Sequence, residues 1–177
     1  KNVNKKFKFS KIDIQNEKRI DKLFKVEKFD CVINLAAQAG VRHSIKHPEK
    51  YFNSNIKGFF NILCASKKFK VKHIIFASTS SVYGNQTKFP IKEDANTDKP
   101  LSFYAASKKS NEVMAYSFSN IYKLPLTCLR FFTVYGPLGR PDMALYKFVE
   151  KISNNEPIEL FNKGEHVRDF TYIDDVV

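Results

Sequence analysis

The feature that most restricts how this chain folds is a repeated change of hydrophobic period. Short apolar runs of strand length occur at Cys31-Val32-Ile33-Asn34-Leu35, Ile74-Ile75-Phe76-Ala77-Ser78 and Leu126 to Phe132. Longer segments between them carry apolar residues at helical spacing. Phe7-Lys8-Phe9 with Ile12 reads as one more strand. Asn16 to Lys28 reads as a helix with Ile20, Leu23 and Phe24 on one face. His47-Pro48-Glu49 opens a helix with proline in its first turn, running to about Lys68. Tyr104 to Tyr122 is a further helix, and Asp142 caps another that ends near Asn154. Pro157 to Leu160 reads as a short strand. Strands and helices alternating at these lengths build βαβ units and a parallel sheet covered on both faces. Ligands of such sheets lie beyond the carboxyl ends of the strands, so the residues just after each strand are where chemistry is sought.

A chain of 177 residues, 43% hydrophobic, suits one globular domain, or most of one and part of a second. No apolar stretch reaches the roughly 18 residues of a membrane span. The opening Lys1-Asn2-Val3-Asn4-Lys5-Lys6 lacks the apolar run of a signal peptide and an initiator Met, which leads us to expect a start within a longer protein. Cys31, Cys64 and Cys128 are odd in number and widely spaced, which fits reduced thiols in a cytoplasmic protein. None of the four His stands at ligand spacing from a Cys, so no metal site is expected. The net charge of +12 comes from lysine spread along the chain, with only five Arg. That pattern favours a solvated surface over a nucleic-acid interface, where clustered Arg is usual. No nucleic-acid or membrane partner is expected, and the positive field suits an anionic substrate.

The strand ends carry three distinctive groups of residues. After the first buried strand come Ala36-Ala37-Gln38-Ala39-Gly40, which either admit a flat ligand close to the backbone or pack a tight turn. After the second come Thr79-Ser80-Ser81-Val82-Tyr83-Gly84, whose hydroxyls either meet a sugar or carbonyl or close a Ser/Thr turn. After the third come Thr133 and, further on, Arg140, whose planar fork suits carboxylate or phosphate or serves as a surface cation. Tyr104 and Lys108 stand four residues apart and share a helix face. An ammonium held near a phenol stabilises phenolate and equips the Tyr as a general base and acid. With eight Tyr and this lysine content, about one Tyr-x-x-x-Lys pair is expected by chance, so its weight comes from its position after a hydroxyl-rich strand end.

Thr79 precedes Tyr104 by 25 residues. With Asn34-Leu35-Ala36-Ala37-Gln38-Ala39-Gly40-Val41-Arg42, Ser54-Asn55-Ile56-Lys57-Gly58, Ser81-Val82-Tyr83-Gly84, Arg130 to Pro137, Gly139 to Ala144 and Arg168 to Asp175, nearly the whole chain resembles the extended short-chain dehydrogenase/reductases of the NAD-dependent epimerase/dehydratase family. The resemblance implies a Rossmann-like, doubly wound parallel sheet. It implies Thr79, Tyr104 and Lys108 as the catalytic set and NAD as cofactor. Asp13 and Ile14 then lie beside the adenine, and Leu35, Ala36, Ala37 and Gln38 line the cofactor path. Asn55 holds the cofactor loop, Tyr104 and Lys108 also touch the nicotinamide ribose, and Phe131 lies near the nicotinamide. On the substrate side it implies Thr79, Ser80, Thr133 and Arg140, with Arg168 at the UDP pyrophosphate.

The implied reaction is 4-epimerisation of a UDP-sugar through a 4-keto intermediate, with a homodimer as the assembly. Ser80 and Ser81 stand where the family's 4,6-dehydratases carry an acidic pair, so epimerisation is favoured over elimination. A cationic fork beside two hydroxyls suits a uronate, so UDP-glucuronate to UDP-galacturonate is favoured over UDP-glucose or a UDP-N-acetylhexosamine. A non-catalytic dinucleotide-binding protein is the reading of another class, and it leaves the Thr79, Tyr104, Lys108 set without a purpose.

The six Gly (40, 58, 84, 136, 139, 164) do not form the family's Gly-rich phosphate loop. The sheet is therefore expected to be incomplete, with its first strands and the substrate domain outside the chain. Residues 1–135 are expected to belong to the NAD-binding part, and 136–177 to begin the substrate-binding region, interleaved with the last sheet elements. The 177 residues alone are expected to be inactive.

Overall fold

The computed structural model describes residues 6–165 and 167–177. The chain divides into two compact units, Lys1–Arg130 and Phe131–Val177.

In the first unit, β1 (Cys31–Asn34), β2 (His73–Ala77) and β3 (Leu126–Leu129) form a parallel sheet in the order β1-β2-β3. Ile33 pairs with Ile75, and Ile75 with Thr127. Helix α1 (Glu17–Glu27) precedes the sheet, with the Asn16 side chain accepting from the Arg19 N–H at its start. Between β1 and β2 run α2 (Val41–Lys46), α3 (Pro48–Tyr51), one π-helical turn (Phe52–Lys57) and α4 (Gly58–Lys68). Helix α5 (Phe103–Tyr122) joins β2 to β3.

The core lies between sheet and helices. Ile20 and Phe24 of α1, Phe59, Ile62 and Leu63 of α4, and Ala115 of α5 close over Ile74 and Phe76 of β2. Full burial of each large side chain contributes about 1.5–3 kcal/mol. Gly58 lets α4 approach Ile14, since a Cβ there would stand 2.6 Å from the Ile14 side chain. Within this unit α1, α4 and α5 pack on one face of the sheet, and Ile33 of β1 is exposed. Both crossovers step the same way along β1-β2-β3, and the right-handed rule then sends α4 and α5 to the same side. Covering both faces requires a reversal of strand order, which the described strands do not contain.

In the second unit, β4 (Thr133–Tyr135) pairs in parallel with β5 (Phe170–Tyr172), and α6 (Ala144–Ser153) and α7 (Ile173–Val176) complete it. Tyr135, Phe170 and Tyr172 meet edge to face.

Several local expectations change. Phe7 to Ile12 is not a strand: the segment pairs with neither edge of the β1-β2-β3 sheet, Phe7 and Phe9 are exposed, and only Ile12 packs against the core. The run from Leu126 ends as a strand at Leu129; Arg130 turns to a carboxylate on α5, and pairing resumes at Thr133 in a separate sheet. Pro157 to Leu160 is not a strand either, and the partner of β4 is β5. Asp142 does not cap α6, whose N-cap position is Met143; its carboxylate turns back to Arg140. The helix expected from His47 to Lys68 is one run interrupted by the π-helical turn. Helix α2, too short to show a period, was not foreseen.

Candidate active site

The loops at the carboxyl ends of β1 and β2 meet the first turns of α5. Ser102 opens that helix, its hydroxyl accepting from the Ala105 N–H at 3.1 Å. Tyr104 therefore lies in the first turn and Lys108 one turn further along the same face.

Lys108 is 2% exposed, and its ammonium donates to the Ala77 carbonyl, the last of β2, at 2.8 Å. Burial lowers its pKa to about 8, a shift slightly offset by Cys128. Two residues beyond Ala77, Thr79 is buried, and its Oγ1 accepts from the Ser81 N–H at 3.2 Å, capping the 3₁₀ turn Ser80–Tyr83. Gly84 ends that turn at φ +63°, and a Cβ there would lie 2.5 Å from the Lys99 carbonyl oxygen. The hydroxyl cluster is thus a Ser/Thr turn, but its geometry leaves the Thr79 O–H as a donor. Tyr104 is half-buried, with its ring edge-on to Tyr51 at 6.1 Å between centroids. Among the described residues its hydroxyl makes no hydrogen bond, and the Lys108 ammonium is bonded to the strand end rather than to the phenol.

The loop after β1 is held from the π-helical turn. Asn55, 1% exposed, accepts from the Gln38 N–H at 2.7 Å and donates to the Gln38 carbonyl at 3.0 Å and to Ser107 Oγ at 2.9 Å. Ser107 donates in turn to the Tyr104 carbonyl at 2.8 Å. With its amide nitrogen turned toward them, Asn111 donates to the Asn55 and Ser107 carbonyls. Tyr51 is fully buried, and its hydroxyl donates to the carbonyls of Ala39 and Gly40. Both polar backbone groups of Gln38 are satisfied, while Leu35 and Ala36 remain exposed at the strand end. A π-helical turn inside a helix is frequent at functional sites, and here it delivers Asn55. Asp13 and Ile14 shape the segment before α1. The Asp13 carboxylate accepts from the Gln15 N–H, and Ile14 packs against the core with its carbonyl taking the Asn61 amide.

A second, part-buried cluster adjoins the Thr79 turn. Arg130 donates from Nε and Nη2 to the two Glu112 oxygens, both at 2.9 Å, and from Nη1 to the Tyr83 hydroxyl at 3.1 Å and the Glu93 carbonyl at 2.8 Å. Ser78 Oγ donates to Glu112 at 2.6 Å. Burial raises the Glu112 pKa, but the hydrogen bonds from Arg130 and Ser78 outweigh it and hold the carboxyl below its usual range. The bond to Glu112, with a smaller contribution from Tyr83, raises the pKa of Arg130 against the opposing effect of burial. Sequence reasoning gave no role to Glu112, Arg130, Ser107 or Asn111. The available signal was spacing: Tyr104, Lys108 and Glu112 recur every four residues on one face of α5.

The remaining candidates lie in the second unit. The Thr133 N–H donates to the Asp169 carbonyl at 3.3 Å, and Phe131 is half-buried. Arg140 is exposed, and its Nε donates to Asp142 Oδ1 at 2.9 Å while Nη2 meets the other carboxylate oxygen. The hydrogen bond to Arg140 keeps the Asp142 pKa below its usual range. Arg168 is exposed and bonds to the neighbouring Val167 carbonyl. Among the described residues no cluster of His, Cys, Asp or Glu suits a metal ion.

Comparison with known proteins gives a consistent result. The model of the "NAD dependent epimerase/dehydratase family" matches residues 1–177. A "Probable UDP-glucuronate 4-epimerase" of Rhizobium meliloti is 48% identical over 164 residues, covering 93% of this chain and 48% of that protein. The UDP-glucuronic acid 4-epimerase of Bacillus cereus, solved with UDP-glucuronic acid and NAD, superposes at TM-score 0.91 with 38% identity over 98% of this chain and 54% of its own. The UDP-glucose 4-epimerase of Thermotoga maritima, solved with UDP-glucose, superposes at TM-score 0.93 with 35% identity over 98% and 58%. The chain spans about half the length of the curated relatives it matches. A match along its entire length, on a parallel α/β sheet with these strand-end strings, assigns the chain to the NAD dependent epimerase/dehydratase family.

Proposed function

We propose that the full-length protein catalyses NAD-dependent 4-epimerisation of UDP-glucuronate to UDP-galacturonate. The observation that carries this reading is the buried Lys108 ammonium at the carboxyl end of β2, one turn from Tyr104, with the capped Thr79 turn following directly. The names of the relatives support the uronate, and the absence of an acidic pair at Ser80 and Ser81 supports epimerisation.

In this reading Tyr104, as phenolate, takes the proton of the sugar 4-hydroxyl while the Thr79 O–H holds that oxygen. The Lys108 ammonium stabilises the phenolate through space. NAD, when bound, supplies a reversible acceptor for the C4 hydride. In the return direction the Tyr104 phenol would give the proton back to the sugar oxygen, with the Thr79 O–H again holding that oxygen. The residues present fit the cofactor. An apolar and small-residue loop, Leu35 to Ala37, lies at a strand end with Leu35 and Ala36 exposed, Gln38 has its backbone fully paired, and the Lys108 ammonium is held one helical turn from Tyr104. Asp13 and Ile14 are assigned to the adenine, Leu35, Ala36, Ala37 and Gln38 to the cofactor path, Asn55 to its support, Tyr104 and Lys108 to the ribose, and Phe131 to the nicotinamide. Ser80, Thr133 and Arg140 are assigned to the sugar carboxylate and Arg168 to the pyrophosphate. A homodimer and a cytoplasmic location belong to the same proposal, the latter supported by three free thiols, Cys31, Cys64 and Cys128.

A second reading, a neutral UDP-hexose 4-epimerase, is favoured by the high structural similarity to the Thermotoga maritima enzyme. Incubating the full-length protein with NAD and each UDP-sugar, and resolving the epimers, decides between the two. Turnover of UDP-glucuronate is expected, and Tyr104→Phe should lower it by ~10³-fold with substrate affinity nearly unchanged. Turnover of UDP-glucose alone overturns the uronate assignment.

A further inference from the structure

We infer that Glu112 and Arg130 are positioning residues for the proposed reaction, setting the Thr79 turn against the Tyr104–Lys108 helix. The inference rests on the reading of Thr79, Tyr104 and Lys108 given above. Glu112 stands one helical turn beyond Lys108 on the same face of α5. These two side chains reach consecutive residues at the end of β2, Lys108 to the Ala77 carbonyl and Glu112 to the Ser78 hydroxyl. Thr79 follows directly. Arg130 then completes the frame from the end of β3. Its fork closes on Glu112, its remaining nitrogen reaches the Tyr83 hydroxyl, and its guanidinium lies 5.0 Å from the Tyr83 ring centre. Thr79 and the turn Ser80–Tyr83 that it caps are therefore gripped from both ends, at Ser78 and at Tyr83, by one carboxylate–guanidinium pair. The Glu93 carbonyl adds the long loop that precedes α5.

The chemistry of the pair suits a fixed frame. Glu112 and Arg130 side chains are 10% and 22% exposed, and both edges of the carboxylate are occupied. Bidentate geometry defines distance and angle together, which a single hydrogen bond does not. Neither side chain is assigned to substrate, so their effect on turnover passes through Thr79, Tyr104 and Lys108. Displacement of a reacting group by about 1 Å is enough to cost ~100-fold in rate.

The test uses the full-length protein with NAD and UDP-glucuronate, measuring kcat, KM and thermal melting for Glu112→Gln, Arg130→Lys and Ser78→Ala. Glu112→Gln and Arg130→Lys are expected to lower kcat about 10- to 100-fold with KM within about twofold, at temperatures well below their melting points. Ser78→Ala keeps the ion pair and is expected to lose about 3- to 10-fold in kcat alone. Wild-type kcat in a folded Arg130→Lys or Ser78→Ala protein, even with a lowered melting temperature, overturns the inference and leaves the pair a purely stabilising contact. A parallel rise in KM overturns it as well. Should Glu112→Gln not fold, the other two variants decide. Tyr104→Phe separates the levels: if that variant stays active, the proposed chemistry fails, whereas an inactive Tyr104→Phe with fully active frame variants defeats the positioning role only.

Discussion

Arg130 and Arg140 each close a guanidinium fork on a carboxylate, yet they sit in opposite surroundings. Arg130 reaches across the first unit to Glu112, 18 residues away, and the pair is largely buried among Ser78, Tyr83 and the Glu93 carbonyl. Arg140 folds back on Asp142, two residues along the second unit, and the two side chains are 49% and 57% exposed. Breaking a fully buried pair costs about 3–5 kcal/mol, because the remaining charge is stranded, and a part-buried pair such as this one falls below that range. An exposed pair is worth about 0–1 kcal/mol. The first fork is therefore committed to structure. The second can be surrendered to another carboxylate at little cost, which is what a residue proposed to bind a uronate requires. Two guanidinium–carboxylate forks thus differ in the cost of exchange chiefly through burial.

The largest expected effect sharpens the frame side. Lys108→Met should lower kcat by ~10³-fold or more, since the ammonium supports the proposed phenolate. Its effect on stability has the opposite sign. The lysine pKa falls from 10.5 to about 8 on folding, so below pH 8 both states are protonated and the burial penalty is fully present. Between pH 8 and 10.5 the unfolded chain holds the proton that the folded one has lost, and the wild type gains stability as pH rises. The Met variant should therefore be more stable at pH 7, by roughly 3 kcal/mol at about 1.4 kcal/mol per pKa unit, with the gap closing toward pH 10.5. Denaturant titrations at pH 7 and pH 10 measure this, and a gap that does not narrow excludes the buried ammonium as its source.

Next in size is the anchor. Arg140→Ala should reduce kcat/KM for UDP-glucuronate by ~10- to 100-fold, as expected for a hydrogen bond to a charged group, with UDP-glucose changed by less than about threefold. Equal losses on both sugars break the contrast between the forks and return Arg140 to a structural role. The smallest effect tests the exchange itself. Asp142→Asn removes the competing charge and should lower KM for UDP-glucuronate by about two- to fivefold, the size an exposed pair permits. An unchanged KM means that Asp142 does not compete for the fork.

The elements that the sequence made legible are those in which local pattern and tertiary need coincide. The helix starts at Asn16 and Ser102 are local capping events, and the strands β1 and β2 are short apolar runs with nothing to contradict them. Misreadings arose where a residue's local pattern did not decide its partner. Phe7 and Phe9 have the alternation of a strand, yet the segment joins neither edge of the sheet and both rings stay exposed. Asp142 has the chemistry of a cap but a neighbouring guanidinium that claims it. In the site, the spacing of Tyr104 and Lys108 was readable, whereas the bond from Lys108 to Ala77, 31 residues away, was not.

By itself, the order of residues along this chain determined the alternating parallel architecture and the hydroxyl, phenol and amine groups near the strand ends, because periodicity and capping act over a few residues. Only the tertiary structure decided which arginine became part-buried against a distant carboxylate and which stayed exposed beside a near one. The same fork and carboxylate differ in meaning through the number of polar groups and the amount of water around them, and those are set by chain segments far apart in sequence.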